Sequence, residues 1–196
     1  RRSVRLPIWL AAMSVLLLSV STLHAQDWFK TETSSGASSI RIAVADFKPL
    51  STDPQTSPFK HTFDTTLYND LANAGIFDFV SKSLQPQATP GAPAEISLAQ
   101  WSAPPSSAAM VAFGAFSVQN GRIICNGYLF DAKNAQYPQV LAKQYNEAAS
   151  DDSARQVAHR FADEIIFRLG GGTPGIAETK IYYVKILGKD AKEIWM

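Results

Sequence analysis

Ala109-Met-Val-Ala-Phe-Gly-Ala-Phe-Ser-Val118 and Arg122-Ile-Ile-Cys-Asn-Gly-Tyr-Leu-Phe-Asp131 are two apolar runs separated by Gln119-Asn120-Gly121. Asn-Gly between such runs is the strongest short hairpin signal, because both residues tolerate the positive φ of a tight turn. The stretch therefore predicts two antiparallel strands. A third comes at Val140–Glu147, where Val140, Ala142 and Gln144 alternate with Leu141, Lys143 and Tyr145. Three consecutive strands with short connections predict a meander.

Upstream, Ile40–Phe47 reads as a strand with Ile40, Ile42 and Val44 on one face. Pro49 to Pro58 is a loop by its Pro, Ser, Thr and Asp content. Phe59, Phe63, Leu67 and Leu71 then recur every fourth residue, the stripe of an amphipathic helix that Gly75 can cap. Ile76–Val80 is a short strand, which the crossover helix allows to pair in parallel with the first. Gln85–Glu95 holds three prolines and a glycine and reads as loop, with a helical turn after it around Leu98–Trp101. Downstream, a second long helix starts at Asp151 or Ser153, with Asp151 or Asp152 as N-cap, and runs to Leu169. Val157, Phe161, Ile165 and Leu169 form its stripe. Each helix has one stripe to bury. The expected fold is therefore a two-layer α/β (α+β) domain over residues 40–170. Two helices pack on one face of a mixed, roughly five-stranded sheet.

Both ends of the chain carry further signals. Arg1, Arg2 and Arg5 precede an apolar core from Ile8 to Val20, and Leu23-His24-Ala25 offers a cleavage site. This is the pattern of a secretory signal peptide over residues 1–25, and its core is shorter than a membrane span. Residues 26–39 read as a flexible polar tail. After the second helix, Gly170-Gly171-Gly172 opens a linker at 171–179, and a new strand begins around Thr179–Val184. A second domain thus opens with little room before Met196, which reads as the front end of a longer protein.

Charge and cysteine content narrow the function classes. Taking the three leader arginines from the eighteen Lys and Arg leaves fifteen basic against seventeen acidic side chains, a net charge of −2. Nucleic-acid binding needs a basic patch, so no such partner is expected. Cys125 is the single cysteine and sits in an apolar run, which predicts a small buried residue and no intrachain disulfide.

His159 and Asp163 lie four apart on one helix and are therefore neighbours. They suit either half of a metal or general-base site, or a hydrogen-bonding pair that locks the helix against the sheet or the next domain. A zinc site needs three or four ligands. The other histidines, His24 and His61, form no cluster with a cysteine. The reading adopted is a structural junction of His159, Asp163 and Glu164, with no metal and no cofactor. Gly170–Gly172 lacks the Gly-Lys-Ser/Thr end of a phosphate loop. Pro104-Pro105-Ser106-Ser107 contains no nucleophile elbow. Asp131 reads as a turn residue, and no catalytic residue is assigned. Trp28 and Phe29 stand in the polar tail. They either fold back on the domain or anchor a partner, since exposed tails often add as a strand to another sheet.

Taken in order, several segments resemble the TolB family. They are Ile42–Phe47, Asp70–Phe77, Trp101-Ser102, Phe113-Gly114, Tyr128–Asp131, Ala158–Ile165 and Thr179–Val184. The resemblance implies a signal peptide, an N-terminal domain with an anticodon-binding-domain-like fold, and a β-propeller whose first strands are residues 180–196. It implies a non-enzymatic periplasmic protein of the Tol-Pal system, supporting envelope integrity and outer-membrane constriction at division. The implied partners are a TolA-like protein, through the tail and the N-terminal domain, and a Pal-like protein, through the propeller. No membrane contact is implied once the signal is cleaved. The rival readings are the front domain of another secreted propeller protein, a sensor or a hydrolase, and a small metal-dependent enzyme using His159 and Asp163.

Overall fold

The computed structural model describes residues 39–172, 174–177, 179, 183–186 and 192–195. The hairpin sits at the centre of the sheet. Strands β4 (Met110–Gln119) and β5 (Arg122–Asp131) pair antiparallel along their whole length. The turn is made by Asn120 at φ 51° and Gly121 at φ 70°, the left-handed pair that matches strand twist. Strand β6 (Gln139–Ala148) extends the meander on β5.

On the other side of β4, the chain uses parallel pairing. Strand β1 (Ile40–Val44) lies between β4 and β3 (Phe77–Phe79) and is parallel to both. Strand β2 (Lys48–Pro49) pairs with β4 further along. The sheet is thus mixed and six-stranded, in the order β3-β1-β4-β5-β6 with β2 also on β4. The alternation of Ile40, Ile42 and Val44 predicts a first strand that reaches Phe47. Instead it stops at Val44, and the Phe47 N–H turns to the carboxylate of Asp64 (3.2 Å).

Helix α1 (Thr56–Asn73) connects β2 to β3. The short α2 (Leu98–Ser102) precedes β4, and α3 (Asp151–Leu169) comes after β6. Gly75, at φ 70°, lies just beyond the last turn of α1, where a left-handed residue ends a helix. The N-cap of α3 is Ser150, whose hydroxyl accepts the Ser153 N–H at 3.0 Å. This corrects the expectation of Asp151 or Asp152 at that place. Those residues occupy the first turn instead, where their charge suits the helix dipole.

The two long helices share one sheet face, as their stripes require. Thr62 bonds to Asp151, and Asp70 to His159, the same sequence offset of 89 in each case. That constant offset sets α1 and α3 side by side and parallel. Beneath them Phe63, Leu67, Leu71, Val157, Phe161 and Ile165 are fully buried. Phe47 lies edge-on to Phe63 at 4.6 Å and to Phe161 at 5.9 Å. Phe161 rests directly on β5 at Gly127, where a β-carbon would come within 2.7 Å of its ring.

The opposite face is buried too, which the helix stripes alone do not predict. Residues between Val80 and Ala108 fold back across it. They place Trp101 and Val80 with Ala43, Val111, Phe113 and Phe130 in a second core. This explains why β4 reads as a nearly continuous apolar run: its two faces are both covered. Cys125 is buried in the first core, and burial pushes its thiol well above the usual range. It is an inert packing residue. Beyond α3, strands β7 (Tyr183–Ile186) and β8 (Lys192–Trp195) pair antiparallel in a separate two-stranded sheet.

Candidate functional site

A set of polar groups on one stretch of α3 links that helix to the rest of the fold. His159, Arg160, Asp163 and Glu164 occupy successive positions on the helix surface, and each reaches a different part of the fold. The His159 Nδ1 meets Asp70 Oδ2 of α1 at 2.6 Å, with both side chains largely covered. Arg160 bonds to Glu147 of β6 at 2.9 Å and stands over the Tyr145 ring. Glu164 meets Lys143 of β6 at 2.5 Å. Asp163 Oδ1 accepts the N–H of Ala177, in the segment that leaves the helix, at 3.0 Å.

Local sequence accounts for this spread. Neighbours at i and i+4 share a helical face, while i and i+1 diverge by about 100°. His159 and Asp163 therefore look towards α1 and the outgoing chain, and Arg160 and Glu164 towards β6. The outgoing chain comes very close at Gly175, where a β-carbon would lie 1.9 Å from Asp163 Oδ1 and 2.7 Å from its Cα. Glycine is required there for contact, not for conformation.

Electrostatics follow from burial. Desolvation raises the Asp70 carboxyl above its ordinary value of 3.8, against the hydrogen bond from His159, and the nearby charge of Asp163 adds to the rise. Asp64 behaves alike: burial raises it in spite of Lys60 at 2.6 Å. Asp64 belongs to a second feature, an open groove of about 530 Å³ at the carboxyl end of β1. Val44, Asp46, Lys60, His61, Asp64 and Lys82 line it. Its acids and bases are matched, since Lys82 meets Asp46 and Lys60 meets Asp64.

His159 and Asp163, neighbours on one helix, each have a partner of their own, Asp70 for one and Ala177 for the other. Sequence does not reveal Asp70, because it lies 89 residues away on α1 and nothing local marks it. Among the described residues, no group of three or more His, Cys, Asp or Glu is placed to hold a metal ion. His61 lies on the groove of α1, far in sequence from His159. Trp28, Phe29 and His24 lie outside the described residues. None of the described helices is long and apolar enough to cross a membrane.

Fold and site together define an α+β domain whose directed polar groups join helix, sheet and outgoing chain to one another. The chain belongs to the TolB amino-terminal domain family, whose sequence profile matches residues 33–137. Among solved structures it is similar to TolB from Acinetobacter baumannii. The TM-score is 0.56 and the identity 25%, over 74% of this chain and 32% of that one. The chain thus spans about a third of that relative. A PelC dodecamer from Paraburkholderia phytofirmans also aligns, with a TM-score of 0.40 and 14% identity, over 67% of this chain and 87% of that one. No curated protein matches.

Proposed function

We propose that this TolB-like chain is the front part of an exported, non-catalytic protein of the Tol-Pal system. It acts in the periplasm between a TolA-like and a Pal-like partner and supports envelope integrity and constriction at division. The observation that carries this reading is the family match over residues 33–137. Residues 1–25 are its cleaved signal, 26–39 its partner-binding tail, 40–170 its α/β domain and 171–179 its linker. Residues 180–196 are the first strands of a propeller that meets the Pal-like protein. The separate β7–β8 hairpin supports that last assignment. His159, Asp163 and Glu164 form the junction that fixes α3 to its neighbours and to the outgoing chain. Their bonds to Asp70, Ala177 and Lys143 support it.

In the tail, Trp28 and Phe29 anchor the TolA-like partner. A segment this rich in Ser, Thr and Gly gains little from burial on its own. Aromatic anchors supply most of the energy in such contacts. The test is binding of the cognate TolA-like and Pal-like proteins to the full-length protein, with and without residues 26–39. Deletion should weaken the first by at least about tenfold and leave the second unchanged. Equal TolA-like binding by both forms removes the tail from the interface.

A further inference from the structure

The sequence contains the pair Asn-Gly twice, at Asn120-Gly121 and at Asn126-Gly127. This pair is the one most open to spontaneous loss of side-chain ammonia, because glycine has no Cβ to shield its amide nitrogen. The hairpin gives the two pairs opposite surroundings. Asn120 and Gly121 are both exposed at the turn. Among the described residues, neither the Asn120 carboxamide nor the Gly121 N–H has a hydrogen-bond partner. Asn126 lies in the middle of β5, paired with β4 on one side and β6 on the other. Its carboxamide oxygen accepts an N–H of Gln144 at 2.9 Å. Gly127 is buried against the Phe161 ring.

We infer that Asn120 is a site of spontaneous deamidation, and that the fold protects Asn126 from the same reaction. The Gly121 nitrogen gives its proton to a base in the solvent and attacks Cγ of Asn120. A C–N bond forms, the side-chain nitrogen leaves as ammonia, and a five-membered cyclic imide results. Water then opens the imide at one of its two carbonyls, giving aspartate or isoaspartate. The sum is one water consumed and one ammonia released, with no change of oxidation state. Asn120 is held in the left-handed region at φ 51°, so the attack waits for the turn to open. A turn at the end of a sheet opens locally at small cost, whereas a central strand beneath two helices opens with the whole domain. Either product sets a new carboxylate next to Arg122, whose guanidinium is bonded to Asn146. The iso form also adds one main-chain atom to the connection. The Gly121 carbonyl holds the Ala149 N–H at 2.9 Å, so the change bears on the corner where β6 passes into α3.

The test is a timed incubation of the purified chain in mildly alkaline buffer, folded and in urea, followed by peptide mapping. Trypsin cuts after Arg122 and so places the two asparagines on separate peptides. Mass spectrometry reads the exchange of amide for acid, and an isoaspartyl methyltransferase labels the iso product. In the folded chain, the Asn120 peptide should convert at least about tenfold faster than the Asn126 peptide, the difference between local and global opening. In urea the two rates should converge. Asn120→Gly keeps a residue at ease in a left-handed turn and removes the reacting carboxamide. The folded variant should take up almost no isoaspartyl label. Equal rates at the two sites in the folded chain overturn the inference. So does an Asn120 that stays intact while folded and converts in urea, or an Asn120→Gly variant that labels as strongly as the wild type.

Discussion

At the residue scale, Phe161 and the Asp70–His159 pair tie the helix layer together. Phe161 is fully buried and touches β5 at Gly127, Phe47 and Tyr145. Phe161→Ala should cost about 3–5 kcal/mol in urea unfolding, the transfer loss plus the cavity left behind. Gly127→Ala should cost about 1–3 kcal/mol by the opposite route, since its methyl enters the space of the ring. The Asp70–His159 pair behaves differently. Burial raises the folded-state pKa of Asp70, so the folded protein holds this proton more tightly than the unfolded chain. That contribution is fully present below the unfolded value of 3.8 and fades as pH rises through the folded value. Asp70→Asn keeps an acceptor for His159 and ends the titration. Thermal unfolding from pH 3 to pH 6 should show the variant gaining on the wild type as pH rises through that window. His159→Ala leaves a covered carboxylate without its donor and should cost about 1–3 kcal/mol at neutral pH. If the two variants respond alike, the pair is not coupled in this way.

At the element scale, some helix and strand ends answer to a local signal, as the Ser150 cap of α3 does, and others do not, as at the uncapped start of α1. Ser150→Ala removes the hydroxyl that accepts the Ser153 N–H. It should lower stability by about 1 kcal/mol, measured by denaturant midpoint. Asp152→Ala, with a side chain 88% exposed, should change stability by less than about 0.5 kcal/mol. Sequence cannot separate these positions. Ser150, Asp151 and Asp152 are all good capping residues in a row, and only the backbone angles choose among them. The hairpin is readable because Asn120-Gly121 has one favourable use. The stripes of α1 and α3 are readable because i, i+4 spacing has one favourable geometry. The second core is written in β4, whose apolar residues do not alternate, but its cover comes from a Pro-rich segment with little periodicity of its own. Asp70 as the partner of His159 is a product of parallel helix packing, and no window of sequence contains both residues.

At the scale of the whole molecule, the chain beyond α3 leaves a sheet covered on both faces over a short glycine-rich path. Gly171 and Gly172 both take positive φ, 74° and 81°. The chain then returns to the helix at Gly175 and Ala177, where Asp163 holds it. A junction of this kind constrains the downstream chain only if the close approach at Gly175 is kept. Gly175→Ala cannot be accommodated by a rotamer change, because the new methyl meets the Cα of Asp163 as well as its carboxylate. The outgoing chain has to lift from α3, while the cores, whose buried residues end at Ile165, are untouched. The expected result is faster trypsin cleavage at Lys180 in the variant, with the unfolding midpoint of the α/β domain shifted by less than about 0.5 kcal/mol equivalent. Asp163→Ala should quicken the same cleavage by removing the anchor from the other side. Combining the two should add little, since both release one contact. Unchanged cleavage in both single variants means that Asp163 and Gly175 do not control the outgoing chain, and the junction must then be assigned elsewhere.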